Sequence, residues 1–299
     1  MHGESQVPLW SAIAQHIVTA TGRSFRAAPP RPLGGGCINK AFVLTGQGQR
    51  FFVKLNRAGQ MPMFEAEAAG LEELRGAGAL RVPGPICWGT HTDSAYLVLE
   101  YLQMGRDNPG SGERLGRGLA LLHGIGQSEF GWRMDNTIGS TPQPNKPMGD
   151  WVEFFRRQRL LFQLELAARN GFARDLRAQG ELLADRLDAF FSDYRPRPSL
   201  LHGDLWSGNW AADENGGPVI FDPAVYYGDR ETDLAMTELF GGFPARFYAA
   251  YREAWPLDEG YSTRKTLYNL YHILNHLNLF GQGYLGQARR MLDRLLSEA

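Results

Sequence analysis

Hydrophobic and polar positions follow two different periods in the first third of the chain. Over residues 8–20 apolar side chains recur at helical spacing, which predicts a first helix. Between residues 31 and 55 the pattern changes to short apolar runs, divided by the glycines at residues 34–36 and by a turn at residues 45–48. Short apolar runs bounded by such turns predict three successive strands.

Helical spacing returns at residues 63–78, where glycines are predicted to end the helix. Two further strands are predicted at residues 82–88 and 95–101, each from a short apolar run. Residues 22–101 are therefore expected to form a small β-rich lobe that carries one helix.

The second part of the chain is mostly helical in its pattern. Helices are predicted over residues 114–126, 151–170 and 175–193, and again in the segment that follows residue 222. Residues 127–149 are rich in glycine, proline and asparagine, so a long loop is predicted there.

The order of these elements predicts the fold class. Strands and helices are segregated along the 299 residues and do not alternate, which indicates an α+β fold. A chain of this length can bury a large core as one bilobal unit. We expect an N-terminal lobe over residues 1–101, with a leading helix, an antiparallel sheet and one further helix. Residues 102–299 would form a larger, mostly helical lobe.

Composition and charge narrow the classes of partner. The chain has 31 lysines and arginines against 32 aspartates and glutamates, a net charge of -1, so no general attraction to nucleic acid is predicted. No apolar run is long enough for a membrane span, and the first residues lack the pattern of a signal peptide. The two cysteines, Cys37 and Cys87, do not make a disulfide framework, which favours a reducing, cytoplasmic location.

The stretch LLHGDLWSGNW at residues 200–210 carries the strongest chemical signal. Asp204 is followed five positions later by Asn209, the spacing of the catalytic loop in protein-kinase-like enzymes. In that loop the aspartate orients and deprotonates the acceptor hydroxyl, and the asparagine holds a metal ion. A second metal-binding carboxylate is expected at a strand end, and Asp222 directly follows the apolar run VIF.

The N-terminal lobe supplies the other parts expected of such an enzyme. Lys54 lies on the third predicted strand, where its ammonium can neutralise the phosphates of ATP. Glu67 on the next helix can pair with Lys54; Glu65 is the alternative, but Glu67 falls nearer the apolar face. Residues 97–102, LVLEYL, would be the hinge whose backbone meets adenine. The joint order predicts a bilobal protein-kinase-like fold that uses ATP and Mg²⁺.

These motifs resemble the fructosamine-3-kinase and ketosamine-3-kinase family, and the similarity extends over nearly the whole chain. The resemblance implies an ATP-dependent kinase for the 3-hydroxyl of ketosamines, the adducts that sugars form on amines and protein lysines. The 3-phosphate then tends to eliminate, so deglycation, a repair function, is implied. The segments that carry the resemblance are HGDLWSGN (202–209), IFDPAVYYGDRETDLAM (220–236), FGGFP (240–244), FFVKLN (51–56), FEAEAAGLEEL (64–74) and TPQPN (141–145).

The resemblance also implies residue roles. Asp204 would be the general base or orienting group, for which no large pKa shift is required. Asn209 and Asp222 would bind Mg²⁺. The residues implied to contact the nucleotide are Lys54, Glu67, Glu100, Tyr101 and Leu102.

Five further side chains have an expected role, and for three of them an alternative remains open. Trp206 is expected to form a wall of the acceptor pocket, against the alternative of core packing. His202 is expected to brace the loop by hydrogen bonds. His272 and His276 lie four residues apart on a predicted helix, where they could bind a metal, but a polar face that borders the acceptor cleft is favoured. Asp233 is expected to hold the catalytic loop in place.

Cys37 follows the three glycines in the loop that would cover the phosphates. It is either a small strand residue or a redox-sensitive thiol that could join two chains, since related members also have a cysteine there. A monomer is expected under reducing conditions, with a Cys37-linked dimer as the oxidised alternative. Cys87 is expected to be buried in a strand without a role.

Two other functions remain open on sequence grounds. One is a small-molecule kinase of the aminoglycoside or choline type, which the LWSGN continuation of the motif disfavours. The other is a catalytically silent nucleotide-binding or redox-responsive module, which the intact set of polar motif residues disfavours. The preferred sugar, among ribulosamines, erythrulosamines and fructosamines, is not encoded in any pattern described above.

Overall fold

The computed structural model describes residues 7–34, 38–172 and 174–299. Its first part is a five-stranded antiparallel sheet in the order β1-β2-β3-β5-β4, flanked by two helices. The elements are α1 (Leu9–Thr21), β1 (Arg31–Leu33), β2 (Lys40–Gly46), β3 (Gln49–Arg57), α2 (Met61–Ala77), β4 (Pro85–His91) and β5 (Ser94–Glu100).

The alternation of side chains on β3 directs Lys54 to one face of the sheet. Phe51, Val53 and Leu55 point to the opposite face, where they pack in one cluster with Ile13 of α1. Because successive strand residues face opposite sides, Lys54 faces α2. The hairpin that precedes it turns at two residues with positive φ, a geometry that matches the twist of the paired strands.

Helix α2 presents a buried apolar stripe that includes Phe64, Leu71 and Leu74. Gly78 ends the helix in the left-handed conformation, with φ 66°. Gly76, which the sequence also predicted as a terminator, lies inside the helix, because a single glycine does not interrupt a helix that is held by packing on one face.

The second part of the chain consists of eight helices and three two-stranded ladders in the residues that the structure describes. The strands pair as β6 (Asn136–Ile138) with β7 (Thr141–Gln143), β8 (Ser199–Leu201) with β11 (Tyr226–Gly228), and β9 (Trp210–Ala212) with β10 (Pro218–Ile220). The helices are α3 (Pro109–His123), α4 (Trp151–Phe154), α5 (Phe162–Arg169), α6 (Arg174–Asp185), α7 (Glu231–Leu239), α8 (Ala245–Ala254), α9 (Tyr261–Phe280) and α10 (Leu285–Glu298).

Three predicted elements differ from the structure. The predicted loop at 127–149 contains the β6–β7 hairpin, whose strands of three residues are too short to show a period in sequence. The predicted helix at 151–170 is interrupted by a π-helical stretch, Phe155–Leu161. The predicted helix at 175–193 ends at Asp185 and continues as a 3-10 turn.

One large hydrophobic cluster joins α2 and β5 to the helices of the second part. Strands and helices are thus segregated as predicted, whereas the exact division after residue 101 stays a prediction. Over the described ranges, no helix has both the length and the apolar character needed to cross a membrane.

Candidate active site

Lys54 is a buried cation held between two carboxylates. Its Nζ lies 2.5 Å from Glu67 Oε1 and 2.6 Å from Asp222 Oδ1. Burial alone lowers the pKa of Lys54, but the negative charges of Asp222 and Glu67 raise it above its ordinary value, so the ammonium keeps its charge. The structure places Glu67, rather than the exposed Glu65, beside Lys54.

Asp222 has a strained backbone, and its carboxylate contacts Lys54 of the first part. Its φ is 56°, a left-handed conformation that non-glycine residues rarely adopt. Hydrogen bonds fix the chain on both sides of it: Phe221 N–H donates to Asn209 O at 3.0 Å, and Ala224 N–H donates to His202 O at 2.9 Å. Strain of this kind persists where the surroundings determine it, typically at functional sites.

The β6–β7 hairpin clamps the segment after Asp222. Asn136 Nδ2 donates to Val225 O at 2.7 Å, and Gln143 Nε2 donates to Ala224 O at 3.1 Å. Both amide side chains are buried, so their loss would leave buried carbonyl groups unpaired. This clamp was not predicted from the sequence, because residues 127–149 were predicted to form a loop and strands of three residues show no period.

Arg159 supports the hairpin from the π-helical stretch. Its guanidinium is fully buried, donates to Pro144 O at 2.6 Å and Asn145 Oδ1 at 2.7 Å, and lies 4.1 Å from the centre of the Tyr226 ring. Among the described residues its Nε has no hydrogen-bond partner. The π-helical stretch sets the position of this arginine, which periodicity alone does not reveal.

The side-chain amide of Asn209 lies within hydrogen-bond distance of both Asp204 and Asp222. Asn209 Nδ2 donates to Asp204 O at 2.8 Å and lies 3.3 Å from Asp204 Oδ2 and 3.4 Å from Asp222 O. Burial, and then the charge of Asp222, raise the pKa of Asp204 to about 7, although Asn209 acts in the opposite direction. The sequence analysis required no shift here; burial of the carboxyl group is the physical reason for the difference.

Asp233 holds the catalytic loop. Its two carboxylate oxygens accept hydrogen bonds from the backbone N–H groups of His202 and Gly203, each at 2.8 Å. Burial by itself raises the pKa of Asp233. The hydrogen bond from His123 and the interactions with His202 and Gly203 outweigh burial, so the pKa of Asp233 lies below its ordinary value. His123 Nε2 lies 3.1 Å from Asp233 Oδ2 and is a supporting residue that the sequence analysis did not identify.

His202 braces the loop and is not placed to react. Its Nε2 lies 3.0 Å from Phe221 O, and its Nδ1 accepts from Asp204 N–H at 3.3 Å. Burial lowers the pKa of His202, so the ring is neutral. The conformation of this loop also requires Gly203. Its φ is 82°, and a Cβ at this position would lie only 2.0 Å from Ala224 O, so no other residue fits without a shift of the backbone.

The hinge residues are only partly free to contact adenine. The Glu100 carboxylate is paired with Arg81 and accepts from Gly84 N–H at 3.1 Å, and its own N–H donates to Gly84 O at 2.8 Å. The Tyr101 ring lies beneath the Arg50 guanidinium, and Leu102 is half-buried, so their adenine contacts stay a prediction.

Trp206 lies on the surface two residues after Asp204. Its side chain is 37% exposed and meets Phe240 edge to face, with ring centres 6.4 Å apart. This exposure does not agree with the alternative of core packing. We therefore keep the interpretation that Trp206 forms a wall of the acceptor pocket.

The helix α9 histidines do not form a metal centre. Within the described residues no group of three histidine, cysteine, aspartate or glutamate side chains could hold a metal ion. His272 is buried, and its Nδ1 has no hydrogen-bond partner there. His276 Nδ1 lies 2.8 Å from His272 O, and its ring packs 4.6 Å from the centre of Phe240.

A pH dependence of stability follows from His272. Burial, assisted by His276, lowers its pKa from 6.5 to about 3. The unfolded chain therefore binds a proton that the folded chain excludes, and the stability present above pH 6.5 is lost as pH falls toward 3. Relative to wild type, His272→Gln is expected to gain about 1.4 kcal/mol at about pH 5.5 compared with about pH 7.5. Urea unfolding of both proteins at both pH values measures the free energy of unfolding. The same difference between variant and wild type at the two pH values would contradict the prediction.

Cys37 lies outside the described residues. Cys87 lies in β4, where burial raises the pKa of its thiol to about 12, so the reactive thiolate is suppressed. The expectation that Cys87 is buried in a strand is confirmed.

Comparison with known proteins gives one consistent result. The fructosamine kinase family matches residues 9–298. A probable ketoamine kinase from Synechocystis sp. is 52% identical over 289 residues, 96% of this chain and 97% of that protein. A chloroplastic protein-ribulosamine 3-kinase from Arabidopsis thaliana is 42% identical over 287 residues, 95% of this chain and 87% of that protein.

Solved structures of two kinds are similar to this chain. A crystal structure described as a candidate fructosamine-3-kinase from Haemophilus somnus has a TM-score of 0.89 at 30% identity, covering 96% of this chain and 97% of that one. Aminoglycoside phosphotransferase APH(4)-Ia has a TM-score of 0.64 at 14% identity, a likeness of fold alone. The prediction of an α+β, protein-kinase-like fold is confirmed.

Proposed function

Because this chain belongs to the fructosamine kinase family, we propose that it is an ATP-dependent kinase for the 3-hydroxyl of ketosamines. The observation that carries the proposal is the convergence of Lys54, Asp204, Asn209 and Asp222, with the exposed Trp206 two residues after Asp204 in the same loop. A small-molecule kinase of another type shares the fold, but the named relatives over nearly the full length favour a ketosamine.

Asp204 is proposed to act on the acceptor hydroxyl. Its carboxylate can accept a hydrogen bond from the hydroxyl, align the oxygen for attack, and take the proton as the new bond to phosphorus forms. Asn209 Nδ2, which donates to Asp204, fixes the rotamer of this carboxylate. Asp233 and His202 keep the loop rigid, so the base is aligned before the substrate arrives.

The residues present fit a magnesium ion. Asp222 offers a carboxylate that is 48% exposed, and Asn209 offers an amide oxygen, both hard oxygen ligands of the kind Mg²⁺ prefers. When bound with ATP, the ion would neutralise phosphate charge. Lys54 is proposed to bind phosphate oxygens, with Glu67 keeping it in position.

Phosphorylation is proposed to lead to deglycation. The 3-phosphate is on the carbon α to the C2 carbonyl and is a better leaving group than hydroxide. Loss of a proton from C1 gives the 1,2-enaminol, which expels inorganic phosphate from C3. Water then hydrolyses the resulting imine, which restores the carrier amine and leaves a 3-deoxy-1,2-dicarbonyl. We propose that the protein serves in this repair.

Turnover on a substrate panel tests the proposed function. ATP consumption would be measured with Mg²⁺ on ribulose-, erythrulose- and fructose-derived lysine adducts, beside choline and kanamycin. The proposal predicts turnover on at least one ketosamine, and the panel ranks the three sugars. Turnover on choline or kanamycin alone would overturn it, as would bound ATP with no turnover on any acceptor.

A further inference from the structure

A row of aromatic rings leads outward from Trp206. The ring centres of Phe240 and His276 are 4.6 Å apart, those of His276 and Phe280 5.4 Å, and those of His276 and Tyr284 5.2 Å. With the contact between Trp206 and Phe240, they make one continuous surface. We name these five residues, Trp206, Phe240, His276, Phe280 and Tyr284, the aromatic shelf.

The aromatic shelf is assembled from separate parts of the chain. Trp206 comes from the catalytic loop, Phe240 from the residue after α7, His276 and Phe280 from the last turns of α9, and Tyr284 from the turn before α10. His276, Phe280 and Tyr284 follow one another at intervals of four residues, whereas Trp206 and Phe240 come from other parts of the chain, so only the fold brings these two against the other three. Their contiguity is therefore a property of the tertiary fold.

Two residues of the aromatic shelf, Trp206 and Phe280, are exposed, and the other three are half-buried, with Phe240 and Tyr284 packed against the hydrophobic core. Phe280 is 52% exposed and Trp206 is 37% exposed, whereas most other large apolar side chains of the described residues are buried or half-buried. A contiguous exposed apolar patch next to polar catalytic groups is typical of a binding surface. Packing within the chain alone would not require Phe280 to be aromatic.

We propose that the aromatic shelf binds the amine carrier of the ketosamine, the alkyl chain of the lysine or other amine that bears the sugar. This inference rests on the proposed function, in which the sugar 3-hydroxyl lies at Asp204 and the sugar against Trp206. The amine on the sugar's first carbon then projects past Trp206 along the remaining rings.

The chemistry of the shelf suits this ligand. A lysine side chain offers methylene groups that pack on aromatic faces, and its secondary amine is cationic when protonated, which ring faces attract. Burial lowers the pKa of His276, so this ring is neutral and does not repel the cation. Sugar specificity would thus be set near Asp204, and carrier specificity along the shelf.

Two adducts of the sugar that turns over best test the proposal: one on methylamine, which has no alkyl chain to lie along the shelf, and one on hexylamine, which has one. We expect Phe280→Ala to raise the KM for the hexylamine adduct about five- to tenfold, and the KM for the methylamine adduct by much less, with kcat changed little. The matched control is Leu121→Ala, an exposed apolar side chain on α3 outside the shelf, for which the ratio of the two KM values should equal that of wild type.

An equal rise of both KM values in Phe280→Ala, or no rise in either, would overturn the assignment of the shelf while leaving the kinase proposal intact. A loss of dimerisation in Phe280→Ala, with an unchanged KM ratio, would identify the shelf as a contact between two copies and would also overturn it. Absence of turnover on either adduct by wild type would instead contradict the proposed function itself. The three results are therefore distinguishable.

Discussion

Replacement of Asp204 by asparagine is expected to lower kcat about 10²–10⁴-fold. The amide has nearly the shape of the carboxylate, but it cannot take the proton of the acceptor hydroxyl. Nucleotide binding should persist, because Lys54 and Asp222 keep their positions in the variant. Steady-state kinetics on the best ketosamine, with nucleotide binding measured by calorimetry, separates the two effects.

The stability of Asp204→Asn provides an internal control. Burial and the charge of Asp222 both oppose ionisation of Asp204, so removal of the charge is not expected to lower the melting temperature. Asp293→Asn, an exposed aspartate on α10, is the matched substitution that should leave kcat unchanged. If Asp204→Asn retained more than about a tenth of wild-type kcat, Asp204 would not be the proton acceptor.

Lys54→Met is expected to lower turnover on the order of 10²–10³-fold and also to destabilise the protein. The variant leaves the Glu67 and Asp222 carboxylates without the cation that lies 2.5 and 2.6 Å from them. Loss of one partner from a buried ion pair costs about 3 kcal/mol, the lower end of the usual range, because Asp222 is half exposed. Urea unfolding and steady-state kinetics measure the two losses.

A double variant separates catalysis from stability at this position. In Lys54→Met with Glu67→Gln, the buried uncompensated carboxylate is removed, so most of the lost stability should return. Activity should not return, because no cation faces the phosphates. Recovery of turnover in the double variant would show that Lys54 serves only to neutralise Glu67.

Sequence reasoning located the residues whose role depends on order along the chain. Lys54 follows from its place on the third predicted strand, Glu67 from helical spacing, and the separation of Asp204 and Asn209 from the needs of phosphoryl transfer. These features are local, so a short window contains the whole signal. The fold class followed for the same reason, because strands and helices are segregated in sequence.

The features that could not be predicted from the sequence depend on contacts between segments that are far apart along the chain. The clamp of Asn136 and Gln143 on the chain after Asp222 joins residues more than eighty positions apart. Asp222 adopts a left-handed φ although it precedes a proline, and no sequence rule predicts that conformation there. The raised pKa of Asp204 is likewise a consequence of burial, which exists only in the folded chain.

Identification of the product tests the central proposal most directly. Wild-type protein would be incubated with MgATP and the ribulose-derived lysine adduct, and the reaction followed by phosphorus and proton NMR. The account predicts a new phosphate ester whose phosphorus couples to the proton on the third carbon of the sugar, followed by release of free lysine. Formation of ADP with inorganic phosphate alone, or an ester on a different carbon, would contradict it.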